Sequence, residues 1–248
     1  MITLEVCVDN IASIDAAVSC GADRLELCAA LGLEGLTPSL ALLDYAKQHS
    51  QCSLQAMIRP RCGDFNYSAK ELALMCQEID LMAARQVDGI VFGVLDGNHD
   101  LNISANQMLI DHAKQYQLET TFHRAIDLVE NYEAAIEQLI AMGFTRVLTS
   151  GQAKDVITGM ANIASLQSKY GHAIEIMAGG GIRADNVAQL LDRTHIHHIH
   201  CSASSIADNC RAKRELSAFA PSALTFKITD KKQLQQIMTT VRGHHASS

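Results

Sequence analysis

The 248 residues predict an α/β chain wound into a closed parallel barrel, the (β/α)8 architecture of a TIM barrel, in a single domain. Three observations predict it. Short apolar runs recur at a spacing of roughly 20 to 35 residues, the length of a strand plus its crossover helix. Amphipathic stretches of helical period fill the gaps, and no Ser/Gly/Pro-rich linker interrupts the series. Eight such runs in about 200 residues exceed the usual count for an open doubly wound sheet, so the sheet closes on itself.

The elements follow in order. Residues 2–8 and 23–29 alternate aliphatic with other residues, and each holds one copy of a near repeat, LEVC and LELC. Strands 3 and 4 are expected at 54–60 and 89–95, with the helix 70–85 between them. Helix 104–116 leads to strand 119–124, helix 132–142 to strand 146–150, and helix 155–170 to strand 174–178. Helix 184–191 precedes the last strand, 197–202. The barrel core then covers about 1–204, and a C-terminal extension, 205–248, ends in a helix capped by Thr229 and stopped by Gly243.

Composition narrows the function. Lys+Arg 20 against Asp+Glu 27 gives a net charge of −7, and no basic run marks a nucleic-acid or anionic-membrane partner. No stretch of about 18 apolar residues offers a membrane span. The N-terminal MITLEVCVDN carries Glu5 and Asp9 where a signal peptide needs positive charge, so a cytoplasmic location is expected. The eight cysteines lie mostly in apolar runs, as reduced cysteines do; Cys20, Cys52, Cys76 and Cys210 are expected to pack as small hydrophobes.

Strand periodicity sorts the polar residues. With Leu4, Val6, Val8, Leu25, Leu27 and Ala29 facing the helices, Glu5, Cys7, Glu26 and Cys28 point into the barrel, near the C-terminal rim where barrel sites lie. The same parity aims Arg59 inward, with Arg61 and Asp64 on the next loop. It brings His123, Arg124 and Asp127 to the end of the fifth strand, and His198, His200 and Ser202 to one face of the eighth. A lone buried histidine or arginine is more often a satisfied core group than a functional one. So many charges at one rim argue for a site, because burying them is costly.

Two chemistries suit these residues. Gly179, Gly180 and Gly181 after the seventh strand and Ser202 after the eighth could offer backbone N–H groups to a phosphate, with Arg59 and Arg61 as an anion clamp. A glycine run can equally be a tight turn. Facing thiols suit Cu(I) or, with an added histidine, Zn²⁺, and in the run HIHHIHC, residues 195–201, at most two histidines can share one site.

The fragments EVCVD, GADRLELC, GLTPS, MIRPR, TFHRA, RVLTSG and GGGI, in this order, resemble the copper homeostasis protein CutC family over about residues 2–204. The resemblance implies a TIM barrel, a cytoplasmic location, a homodimer or higher oligomer, and copper handling with Cys7 and Cys28 as the metal ligands. No organic cofactor is implied. Two positions depart from the family pattern, Cys62 and Glu34, each standing where the family usually has glycine. Cys62 is either a third thiolate or space-filling, and Glu34 changes the shape of its turn. The alternative to copper binding is an enzyme for a small anionic or phosphorylated substrate, with Glu5, Glu26 and His123 as acid–base groups. An oligomeric scaffold is the third reading.

Overall fold

The computed structural model describes residues 2–207 and 226–245. Eight parallel strands close in sequence order: β1 Thr3–Val8, β2 Arg24–Leu27, β3 Ser53–Met57, β4 Gly89–Phe92, β5 Glu119–Phe122, β6 Arg146–Thr149, β7 Glu175–Gly179 and β8 His198–Cys201. Each sits within a few residues of its expected place. The helices between them are α1 Ile11–Ser19, α2 Leu40–His49, α3 Ala69–Ala83, α4 Ile103–Lys114, α5 Tyr132–Met142, α6 Met160–Tyr170 and α7 Val187–Thr194. Their starts are written locally. Asn10, Ser39, Asn102 and Asn131 cap their helices, and Ser68 with Glu71 closes a capping box on α3.

Most of the core lies between strands and helices, not inside the barrel. Leu4, Val6, Val8, Leu25 and Leu27 are fully buried there with Ile14, Leu43 and their neighbours. Ala29 lies beyond the end of β2 and is not a strand residue; it makes an isolated bridge to Leu36. The interior is largely polar. Arg146, 1 % exposed, fills one level, donating to Glu175 at 2.6 Å, Thr121 at 3.0 Å and Glu119 at 3.2 Å.

The structure corrects the bounds of three elements. Residues 155–159 form turns, with Asp155 accepting the Thr158 N–H, and α6 starts only at Met160 because Gly159 packs directly on the Ser150 and Gly151 backbone. Residues 184–186 are likewise outside α7, which runs on to Thr194. Thr229 does not cap the last helix. It ends a short strand, β10 Lys227–Thr229, which pairs antiparallel with β9 Ser204–Ile206 and donates its N–H to Ser13 Oγ. Asp230 takes the capping position, accepting from Gln233 N, and α8 Lys231–His245 runs through Gly243, where no Cβ clash or turn stops it.

That last helix is not an appendage. It packs between α7 and α1, with Leu234, Ile237 and Val241 fully buried, and so supplies the eighth helix of the ring. Cys210 lies outside the described residues.

Candidate metal centre

The two cysteine tetrapeptides meet out of step. Across β1 and β2, Glu5 stands opposite Arg24 and Cys7 opposite Glu26, so the second copy sits two residues further up its strand. The stagger is the shear that any closed barrel requires. Across the other edge of β1, Glu5 stands opposite His200. Closure therefore builds a site from β1, β2 and β8. Gly179 lets it fit, since a Cβ there would meet His200 Cβ and Cδ2 at 3.2 Å and Leu148 at 2.6 Å.

Glu5 anchors the group. Its fully buried carboxylate accepts Arg24 Nε–H at 2.5 Å and His200 Nδ1–H at 2.7 Å. Burial pushes its pKa up, but the Arg24 guanidinium and His200 outweigh that and hold it near 2. Removing one partner of such a buried pair costs roughly 3–5 kcal/mol. Because Glu5 can only accept, His200 presents an N–H at Nδ1, which directs Nε2 toward Glu26, 3.8 Å away. Burial alone would lower the His200 pKa, yet Cys7, Glu26 and Glu5 raise it well above the usual value.

One ligand atom each from Cys7, Glu26 and His200 lie within 4.8 Å of one another, and all three residues are buried. Burial raises the Glu26 pKa above the usual carboxylate range, and Glu5 adds to the shift. Glu26 Oε2 accepts the Cys28 thiol at 3.4 Å, while Oε1 has no hydrogen-bond partner among the described residues. Cys28 itself is fully buried against Met57, Val91 and Leu31, with burial raising its thiol pKa strongly. The arrangement, a carboxylate holding one imidazole nitrogen so that the other faces a thiol, is the usual support for a metal-binding histidine.

The other expected residues lie elsewhere. Cys62 is exposed, while Cys20, Cys52 and Cys76 are half-buried against the core. Arg61 spends its donors on Glu71, Asp64 and the Cys62 and Asn66 carbonyls. Arg59 and His123 sit together over β3 to β5. Arg124 donates to Asp127 at 3.1 Å and to Ser150 at 2.9 Å beside Gly180, and Asp127 also accepts the Ser150 and Gln152 N–H groups. Ser202 donates to Ser204. His198 lies beside Glu175 at 3.7 Å, a level away from His200.

Sequence reasoning placed Glu26 among acid–base groups and left His200 and Arg24 without a role. The alternation of Ile199 and Cys201 against His198 and His200 was the available signal for His200. For Arg24, standing one pleat below Glu26, the signal was the same parity.

A family model for the CutC family matches residues 2–205. The chain belongs to the CutC family. A CutC family protein of Vibrio cholerae is 38 % identical over 237 residues, covering 94 % of this chain and 93 % of the relative. Among solved structures, a chain from Streptococcus agalactiae described as a copper homeostasis protein CutC superposes with a TM-score of 0.77 at 31 % identity, covering 82 % of this chain and 99 % of that one. Thiamine phosphate pyrophosphorylase from Pyrococcus furiosus, at 14 % identity and a TM-score of 0.60 over 98 % of this chain and 96 % of its own, shares the barrel fold with this CutC-family chain. Among the described residues of this CutC-family chain, no helix is long and apolar enough to cross a membrane.

Proposed function

We propose that this chain binds copper as cargo, in the Cu(I) state, beneath the C-terminal rim of the barrel. Cys7 Sγ and His200 Nε2 are the soft donors and Glu26 the third, with Cys28 holding the Glu26 carboxyl from the far side. The observation that carries the reading is the convergence of one donor atom from each of those three residues within 4.8 Å, with Glu26 Oε1 left without a hydrogen-bond partner among the described residues. Thiolate and imidazole suit Cu(I), and their burial keeps water and competing hard ions out. Glu5 contributes by fixing the imidazole, a role whose loss typically lowers metal affinity by about 10- to 100-fold. The reading keeps the cytoplasmic setting and the homodimer that the resemblance implies.

The test is an anaerobic Cu(I) titration against a competing chelator. One copper per chain is expected, lost in Cys7→Ser and His200→Gln and retained in Cys62→Ser, whose thiol is exposed. Cys28→Ser separates two forms of the site. A loss as complete as in Cys7→Ser makes Cys7 and Cys28 a thiolate pair, and a smaller loss leaves Cys28 as the partner of Glu26. Binding indifferent to both Cys7 and His200 would end the proposal.

A further inference from the structure

A second cluster of buried polar groups gathers over β3 to β5, and copper binding uses none of it. Arg59 follows β3, Tyr67 precedes α3, and His123 follows β5. They are 4 %, 6 % and 5 % exposed.

Arg59 gives Nη1 to the Leu33 and Gly35 carbonyls at 2.8 and 3.0 Å and Nη2 to the Gly63 carbonyl at 3.0 Å. Those acceptors are neutral. The nearby carboxylates of Asp64 and Glu71 pair with Arg61 instead, and among the described residues Arg59 has no ion-pair partner. A buried guanidinium without a counter-charge is the costly half of an ion pair. Its Nε–H, moreover, has no acceptor.

The guanidinium lies over the Phe65 ring, 5.0 Å from the centroid, and the His123 imidazole packs on the same ring at 4.7 Å. His123 Nδ1 accepts the Ala125 N–H at 3.3 Å, which places the imidazole proton on Nε2. That Nε2–H has no acceptor either, and nor does the Tyr67 hydroxyl. Burial and the charge of Arg59 keep His123 neutral, with its pKa lowered to about 3. The Tyr67 phenol lies close enough to Arg59 for its charge to oppose the upward pull of burial. Gly93 makes room for the imidazole, since a Cβ there would come within 2.7 Å of the ring. Native proteins leave few buried donors unmet, and here two meet around one aromatic ring, with a third, Tyr67, beside the same unanswered positive charge.

We propose that Arg59, Tyr67 and His123 form a binding site for a small oxyanion, a carboxylate or phosphate group, taken by Arg59 Nε–H, Tyr67 Oη–H and His123 Nε2–H beside Phe65. An oxyanion supplies the negative charge that Arg59 lacks and acceptor lone pairs for all three donors. The glycine loop after β7 fits an anion less well, because Asp127 already answers Arg124 and the neighbouring backbone N–H groups. The site is independent of the copper reading.

The test uses the full-length, metal-free protein, titrated by calorimetry with inorganic phosphate and, separately, with malonate at constant ionic strength. One saturable site per chain is expected for at least one of the two anions. Saturation by malonate alone makes the ligand group a carboxylate, and saturation by phosphate alone makes it a phosphate. Tyr67→Phe removes a single hydroxyl, which lies against Arg59, so it is expected to leave the anion-free melting temperature nearly unchanged while weakening the anion about tenfold. Cys7→Ser is expected to bind the anion as the wild type does. No saturable binding of either anion, or equal affinity in Tyr67→Phe, would overturn the site.

Discussion

Two buried residues have their titrations pushed to the acid end of the range. Glu5 keeps its charge down to a pKa of about 2 through Arg24 and His200, and His123 stays neutral down to about 3 through burial and Arg59. Unfolded, the carboxylate titrates at its ordinary value of 4.5 and the imidazole at 6.5. In both cases the unfolded chain binds the proton first as pH falls, so stability is lost on acidification. The windows differ. His123 contributes from about pH 6.5 downward, at up to roughly 1.4 kcal/mol per pH unit, and Glu5 only below about pH 4.5. Urea melts of metal-free protein between pH 7 and pH 5 are therefore expected to show a steeper loss in wild type than in His123→Gln. Equal slopes would place the His123 proton elsewhere.

Residue chemistry was readable from the sequence where parity alone decides it. Glu5, Cys7 and Glu26 follow from the alternation of aliphatic neighbours in LEVC and LELC. Which of them meet was not readable, because register across β1 and β2 is set by closing the whole barrel. No local feature of either tetrapeptide carries that offset.

At the scale of elements, strands and most helices were legible because their patterns are local: an alternation of period two, an Asn or Ser cap, an apolar stripe. The misread boundaries have separate causes. Gly159, which packs on the backbone of β6's loop, shortens α6 through a contact that lies outside the helical pattern. β10 is three residues long, too short to show alternation, so Thr229 passed for a helix cap. The loop after β2 carries a strain that is visible only in dihedral angles. Glu34 closes the 3-10 turn Leu31–Leu33 at φ 67, the left-handed region that favours glycine, and it stands where the CutC resemblance expects glycine. Glu34→Gly is expected to raise stability by about 0.5–1 kcal/mol, the relief of the Cβ clash less the added freedom of the unfolded chain. A shift of the urea midpoint to higher concentration at unchanged slope checks it. A lower midpoint would mean that the Glu34 side chain contributes more than its backbone costs.

The whole molecule depends on its last helix. α8 buries Leu234, Ile237 and Val241 at helical spacing against α7 and α1, and Arg242 adds an ion pair to Asp23 at 2.6 Å. Ile237→Ala is expected to cost roughly 2–5 kcal/mol, the range for a fully buried isoleucine. Equilibrium urea unfolding, read together by far-ultraviolet dichroism and by a probe in the barrel, measures it. Coincident transitions shifted to lower urea confirm that α8 is part of the barrel's cooperative unit. An early separate transition would make α8 a detachable segment.

The same helix decides how the molecule yields to a pull. β1 enters the barrel beside the place where α8 leaves it, so the two ends of the described chain load one seam. Tension there peels a single helix from its groove a few contacts at a time, whereas the parallel strands behind it would have to slide past one another with their ladder bonds sharing the load. The seam is thus the expected weak point of the ring under force, and the polar interior around Cys7, Glu26 and His200 stays shielded until α8 has come away.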